Sequence, residues 1–139
     1  MSTLNIGGQL IENTDYSTGE VKTGARWIDG KPIYRRVFQG TLTTYNDQTN
    51  RRSFGGTFLT NVDSVIQAYG FYHSVGGTED HFNRSIPGST MGVNLTTQFD
   101  AMFLLNSTAH TLGAIIQSDK VLGVTALAYT YWVEYTKIT

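Results

Sequence analysis

Residues 124–135 alternate with a period of two, with Thr125, Leu127, Tyr129, Tyr131, Val133 and Tyr135 on one side and Val124, Ala126, Ala128, Thr130, Trp132 and Glu134 on the other. Period two belongs to a β-strand, whose successive side chains leave the pleat on opposite faces. A strand with one face in water shows polar residues along that face. Here both faces are largely apolar or aromatic, which predicts a strand in the middle of a sheet or one whose second face meets another subunit. On the second reading Val124, Ala128 and Trp132 are the assembly contacts.

The same pattern recurs upstream. Asp29-Gly30 between Trp27-Ile28 and Lys31-Pro32-Ile33-Tyr34 predicts a hairpin, since Gly tolerates positive φ and Asp bonds the local backbone. Pro32 suits the first residue of a strand, and Ile33–Leu42 follows as that strand. Phe54–Thr60, Val62–Val75, Met91–Phe99, Met102–Leu105 and Leu112–Gln117 read as further strands, with a turn at Ser118–Lys120. Gly70 inside the second of these marks a bulge or a close neighbour. Thr43–Ser53 and Gly76–Ser89 read as long polar loops, and residues 61–66 as one turn of helix at most. About eight or nine short strands at this spacing predict an all-β, single-domain antiparallel β-sandwich, jelly-roll-like, over residues 15–139, preceded by an N-terminal arm at 1–14. A chain of 139 residues is long enough to hold its own core.

Charged residues make up only 15% of the chain and the net charge is −1, which gives no general attraction to nucleic acid or to an anionic membrane. The basic pairs Arg35-Arg36 and Arg51-Arg52 are too local to form a nucleic-acid face. With no cysteine, disulfides and thiolate metal sites are excluded. The start Met1-Ser2-Thr3-Leu4 carries no secretory pattern. Apolar runs fall far short of the ~20 residues of a membrane-spanning helix. The reading is a soluble protein made in a cytoplasm, with a neutral polar surface of Thr, Ser, Asn, Gln and Gly.

Catalytic patterns are missing. There is no Gly-x-Ser-x-Gly elbow, no paired-carboxylate signature and no glycine loop leading into Lys-Ser/Thr. A small hydrolase therefore stands only as a third alternative. His73, Glu79, Asp80 and His81 are the one grouping with metal-ligand chemistry, but their spacing matches no ligand pattern, so neither metal nor cofactor is expected. Trp27, Lys31 and Tyr34 could form a sugar platform or simply pack across their hairpin. Recognition tends to sit on loops. Tyr45, Arg51, Arg52, Phe82 and Arg84, all in or beside the two polar loops, are therefore the candidate binding residues.

Three segments carry a family likeness: Asp15-Tyr16-Ser17-Thr18-Gly19-Glu20 with Gly24-Ala25-Arg26-Trp27-Ile28-Asp29-Gly30-Lys31-Pro32-Ile33-Tyr34; Leu59-Thr60-Asn61-Val62-Asp63-Ser64-Val65-Ile66; and Glu134-Tyr135-Thr136-Lys137-Ile138-Thr139. The chain resembles a tail-fibre or virion-surface domain of phages and prophages, which shows Tyr-Ser-Thr-Glu-Glu, then Gly-x-Trp-x-Asp-Gly-Lys-Pro-Ile-Tyr, a central Asn-(Ile/Val)-Asp, and an end near Tyr-Thr-Lys-Thr-Thr. Gly19 and Ile138 depart from that pattern. The resemblance implies a β-rich structural protein of the virion with no catalytic residue. Its partners would be copies of itself, a trimer by analogy with fibres, and other virion proteins. A host-surface glycan or receptor is the alternative partner.

Overall fold

A computed structural model describes residues 5–6, 9–10, 16–75, 84–91 and 98–139. In chain order the strands are β1 (Asn5–Ile6), β2 (Gln9–Leu10), β3 (Val21–Arg26), β4 (Pro32–Leu42), β5 (Tyr45–Asp47), β6 (Arg51–Thr60), β7 (Val62–Ser74), β8 (Arg84–Ile86), β9 (Gly88–Met91), β10 (Gln98–Asn106), β11 (Thr111–Asp119) and β12 (Leu127–Lys137). β1 and β2 pair with each other. The rest form two antiparallel sheets, β5-β6-β11-β10-β9 and β3-β4-β12-β7-β8. The chain is the all-β sandwich its patterning predicts. In the second sheet β12 is inserted between β4 and β7, so strands distant in sequence become neighbours. In the first sheet β9, β10 and β11 run as a meander.

β12 occupies the middle of its sheet, one of the two positions its double apolar pattern allows. Leu127, Tyr131, Val133 and Tyr135 point into the sandwich and are at most 2% exposed. Leu127 and Tyr131 meet Phe54, Ala114 and Ile116 of the opposite sheet, while Val133 and Tyr135 pack with Leu59, Val62 and Leu112 at one end of the core. Tyr131 lies edge-on to Phe103, with ring centroids 5.5 Å apart, and Phe58 stands 4.8 Å from Tyr131. Aromatic pairs of this kind contribute about 0.5–1.5 kcal/mol each beyond their buried area.

The hairpin over 27–34 forms as expected. Gly30 takes φ +87, and its N–H donates to the Trp27 carbonyl at 2.9 Å. Asp29 accepts from the Lys31 N–H at 3.0 Å, and Pro32 opens β4.

Several expectations need correction. Thr43–Ser53 is not an open loop: β5 lies within it and pairs with β6, in register Tyr45↔Phe54. Residues 61–66 hold no helical turn. Asn61 turns the chain at φ +64, and Val62 starts β7 directly. A single 3₁₀ turn follows β11 at Lys120–Leu122. The final strand begins at Leu127, so Val124 belongs to the preceding loop and is fully buried in the core. Gly70 is the close-neighbour case and no bulge, for the register shifts between β7 and β12 fall near Tyr135 and Lys137. A Cβ at Gly70 would strike the Thr130 carbonyl oxygen and come within 3.2 Å of the Tyr131 Cα.

One end of the second sheet is tied by polar side chains. Lys31 Nζ meets Asp63 Oδ2 at 2.7 Å, and Lys137 Nζ meets Glu20 Oε1 at 2.6 Å. The Tyr135 hydroxyl also donates to Glu20. The Ser64 N–H donates to Thr136 Oγ1 at 3.1 Å, and the Ile138 N–H to the Asn61 carbonyl at 3.3 Å.

Candidate functional site

The register of β4, β12 and β7 sets side chains in rows across the outer face of their sheet. Val37, Trp132 and Tyr69 form one row, and Gln39, Thr130 and Phe71 the next. Arg35, Glu134 and Gln67 flank them on one side, Thr41, Ala128 and His73 on the other. The two middle rows thus carry three aromatic rings on adjoining strands. Residues before β3 run beside β4, where the Val37 N–H donates to the Ser17 carbonyl at 2.9 Å, and they bring in a fourth ring, Tyr16.

These residues enclose an open groove of about 330 Å³ lined by Tyr16, Val37, Tyr69, Phe71, Thr130 and Trp132. Small-molecule sites usually span about 300–1,000 Å³. Tyr16 is 64% exposed, Tyr69 47% and Phe71 42%. The Trp132 ring stands 5.0 Å from Tyr69 at 41° and 6.0 Å from Tyr16 at 48°, so the rings form a trough, not a flat wall. The indole N–H of Trp132 is covered and finds no acceptor among the described residues. Thr130 Oγ1 accepts a long 3.4 Å contact from the Gln39 amide.

The groove's end is electrically closed. Arg35 donates to Glu134 through Nη2 at 2.7 Å and Nε at 3.1 Å. Its guanidinium also lies 5.3 Å from the Tyr16 ring centroid and 5.9 Å from that of Trp132.

The opposite sheet presents a different outer face. Met102, Ile115 and Gly55 form one row, and Leu104, Gly113 and Thr57 the next. Because Gly55 and Gly113 carry no side chain, hollows of about 290 and 220 Å³ open on either side of Ile115. Met102 is 49% exposed and Leu104 42%. This face is aliphatic.

The residues singled out in the sequence are mostly elsewhere. Tyr45 packs on Phe54 at 5.3 Å and under the Arg52 guanidinium at 4.1 Å. Arg52 also binds Asp47 at 2.8 Å and the Val124 carbonyl at 2.7 Å. The Arg52 hydrogen bonds hold the Asp47 carboxyl below its ordinary value. Arg51 pairs with Asp100 at 3.0 Å. These three side chains thus secure the β5–β6 hairpin. Phe82 lies outside the described residues, and Arg84 opens β8. Of the assembly trio, Ala128 and Trp132 share the outer face and Val124 lies in the core. Trp27, Lys31 and Tyr34 do not converge on a platform, since Lys31 is held by Asp63 and the Tyr34 ring lies against Tyr135 and Lys137. Of the metal grouping, His73 sits on β7, and Glu79, Asp80 and His81 fall outside the described residues. Among the described residues no three His, Asp or Glu side chains stand close enough to hold a metal, and no helix is long and apolar enough to cross a membrane.

The groove residues missed from sequence are Tyr16, Tyr69 and Phe71. Tyr69 and Phe71 did carry a signal, since they flank Gly70 at period two and so share a face.

One polar cluster has perturbed acidities. Burial pushes the Glu20 carboxyl up, but hydrogen bonds from Lys137 and Tyr135 outweigh it and hold the group below its ordinary value. Burial first, then the bond to Glu20, drives the Tyr135 phenol upward. Tyr135 is fully buried, so this phenol braces the fold and is closed to any substrate.

No protein-family model, curated protein or solved structure matches this chain.

Proposed function

We propose that this chain is a non-catalytic structural module of a phage particle, a fibre, baseplate or head-decoration component that assembles into a symmetric oligomer. The carrying observation is the aliphatic outer face of the β5-β6-β11-β10-β9 sheet. Met102, Leu104 and Ile115 stand beside hollows that the same residues of a second copy can fill. Side chains of one copy seated in the hollows of the next, head to tail, close into a symmetric ring. The resemblance to virion-surface domains supports the particle, and fibre analogy supports a trimer. The cations Lys31, Arg35, Arg51, Arg52 and Lys137 are each ion-paired within the chain, which favours protein neighbours over nucleic acid. Val124 is withdrawn from the interface, and Trp132 stands in the groove of the other sheet.

Light scattering on the purified chain tests the oligomer. A mass above the 15.4 kDa of one copy is expected, and Leu104→Asp should return it to one copy without unfolding the domain. Immunogold labelling of intact virions tests the location. A monomer that labels no virion would reject the reading.

The second reading, a host-attachment module, is favoured by the aromatic groove.

A further inference from the structure

We infer that the groove across β4, β12 and β7 binds an uncharged pyranose ring of a surface polysaccharide. This goes beyond self-association and does not depend on it, for it concerns the other face of the sandwich.

The ligand class follows from what the groove offers. A pyranose has faces of C–H bonds and a rim of hydroxyls. The faces lie well on aromatic rings, and the hydroxyls need partners that both donate and accept. Tyr69, Phe71 and Trp132 supply ring surface, with Tyr16 as the fourth wall. The hydroxyls of Tyr16, Tyr69 and Thr130 can act in either sense. Arg35 and Glu134, which border the groove, offset each other at 2.7 Å, so this pair offers an anionic sugar no net positive charge.

The competing occupant is a second copy of the chain. The trough shape, with the Trp132 ring tilted 41° to Tyr69 and 48° to Tyr16, disfavours a flat subunit contact.

The test is binding of the purified chain to a printed panel of neutral oligosaccharides built from glucose, galactose, mannose or N-acetylglucosamine, with a sialylated and uronic-acid set alongside. Titration of the best binder follows, read by tryptophan fluorescence and calorimetry. Binding by a neutral glycan is expected, with affinity falling at least about tenfold in Tyr69→Ala and in Phe71→Ala and falling less in Tyr69→Phe, which keeps the ring and loses the hydroxyl. Both alanine changes are at exposed positions, and their melting temperatures and scattering masses should match the parent. Tyr45→Ala, away from the groove, should leave affinity unchanged. The inference is overturned if no neutral glycan binds at about 10 mM, if only acidic glycans bind, or if binding survives both alanine changes. It is equally overturned if those changes lower the oligomer mass, because the groove is then an interface between copies.

Discussion

Gly70 and Gly55 offer a quantitative check on how the sheets are packed. Gly70 sits on β7 opposite Tyr131 of the central strand, and a methyl group there would strike the Thr130 carbonyl oxygen. That oxygen belongs to a backbone paired on both edges, so it cannot swing aside as a side chain would. Overpacking of this sort costs about 1–3 kcal/mol, and the absence of a flexible neighbour puts Gly70→Ala in the upper half of that range. Gly55 faces the same difficulty against the Ala114 carbonyl and also takes φ +117, a conformation L-residues avoid. The backbone strain adds about 1–2 kcal/mol, so Gly55→Ala should be the worse of the two. The smaller entropy of an unfolded chain carrying Ala returns about 0.4–1 kcal/mol in each case. For 139 residues the unfolding entropy is about 0.3 kcal/mol/K, so a net 2 kcal/mol lowers the melting temperature by about 7 °C. Thermal unfolding followed by circular dichroism should place Gly70→Ala about 5–8 °C below the parent and Gly55→Ala about 8–14 °C below it. Gly19→Ala is the control, since its nearest neighbour is Ser17 Oγ at an ordinary 3.6 Å. A Gly70→Ala variant that melts with the parent would refute the close approach of β7 to β12.

Three further outcomes follow from the packing and charges. Leu127→Ala empties a fully buried site and should cost about 2–5 kcal/mol in urea unfolding, whereas Leu105→Ala, 44% exposed, should cost under about 1 kcal/mol. Glu134→Ala removes two charge-assisted hydrogen bonds from Arg35, whose side chain is 8% exposed, and should cost about 1.5–3 kcal/mol; Asp63→Ala, from the more exposed pair with Lys31, should cost about 1 kcal/mol or less. Glu20 has a folded-state pKa below its ordinary 4.5, so its stabilisation is present above that value and fades as pH falls through the lower folded one. Melting curves between about pH 6 and pH 3 should therefore fall less steeply for Glu20→Gln than for the parent, and equal slopes would count against the Glu20–Lys137–Tyr135 cluster.

The sandwich was legible because its signal is local. Period two survives in a single strand, and the double apolar pattern of β12 leaves a central position as one of two options. The misread parts depend on contacts between distant residues. Thr43–Ser53 looks like a loop because it is polar throughout, yet Arg52 reaches both Asp47 and the Val124 carbonyl, and Tyr45 finds Phe54. Val124 continues the alternation of β12 on paper. The chain instead turns at Gly123, φ +65, and puts Val124 into the core before the strand begins. The groove was beyond reach for a related reason. It needs Val37, Trp132 and Tyr69 in one row, which depends on the register of three strands far apart in the chain, and a slip of one residue would turn each ring inward.

The family-like segments acquire a physical meaning once folded. The 27–34 hairpin, the 61–66 element and the C-terminal Tyr135-Thr136-Lys137 lie far apart in sequence and meet at one end of the second sheet. Lys31 binds Asp63, Ser64 donates to Thr136, Ile138 donates to Asn61, and Glu20 takes both Tyr135 and Lys137. Each segment supplies the partner that another needs, and Thr23 Oγ1 fastens β3 to the Ile33 carbonyl at 2.9 Å. These segments specify a closed end for a sandwich, and of the groove's lining residues they supply Tyr16 alone. Tyr69, Phe71 and Trp132 stand outside these segments, on strands whose pairing the end fixes. Their identity can change without disturbing any of those bonds, because the polar ties lie beyond the Arg35–Glu134 pair at the groove's edge. The side chains that hold the sheet in register are thus distinct from most of those its outer rows on β4, β7 and β12 display.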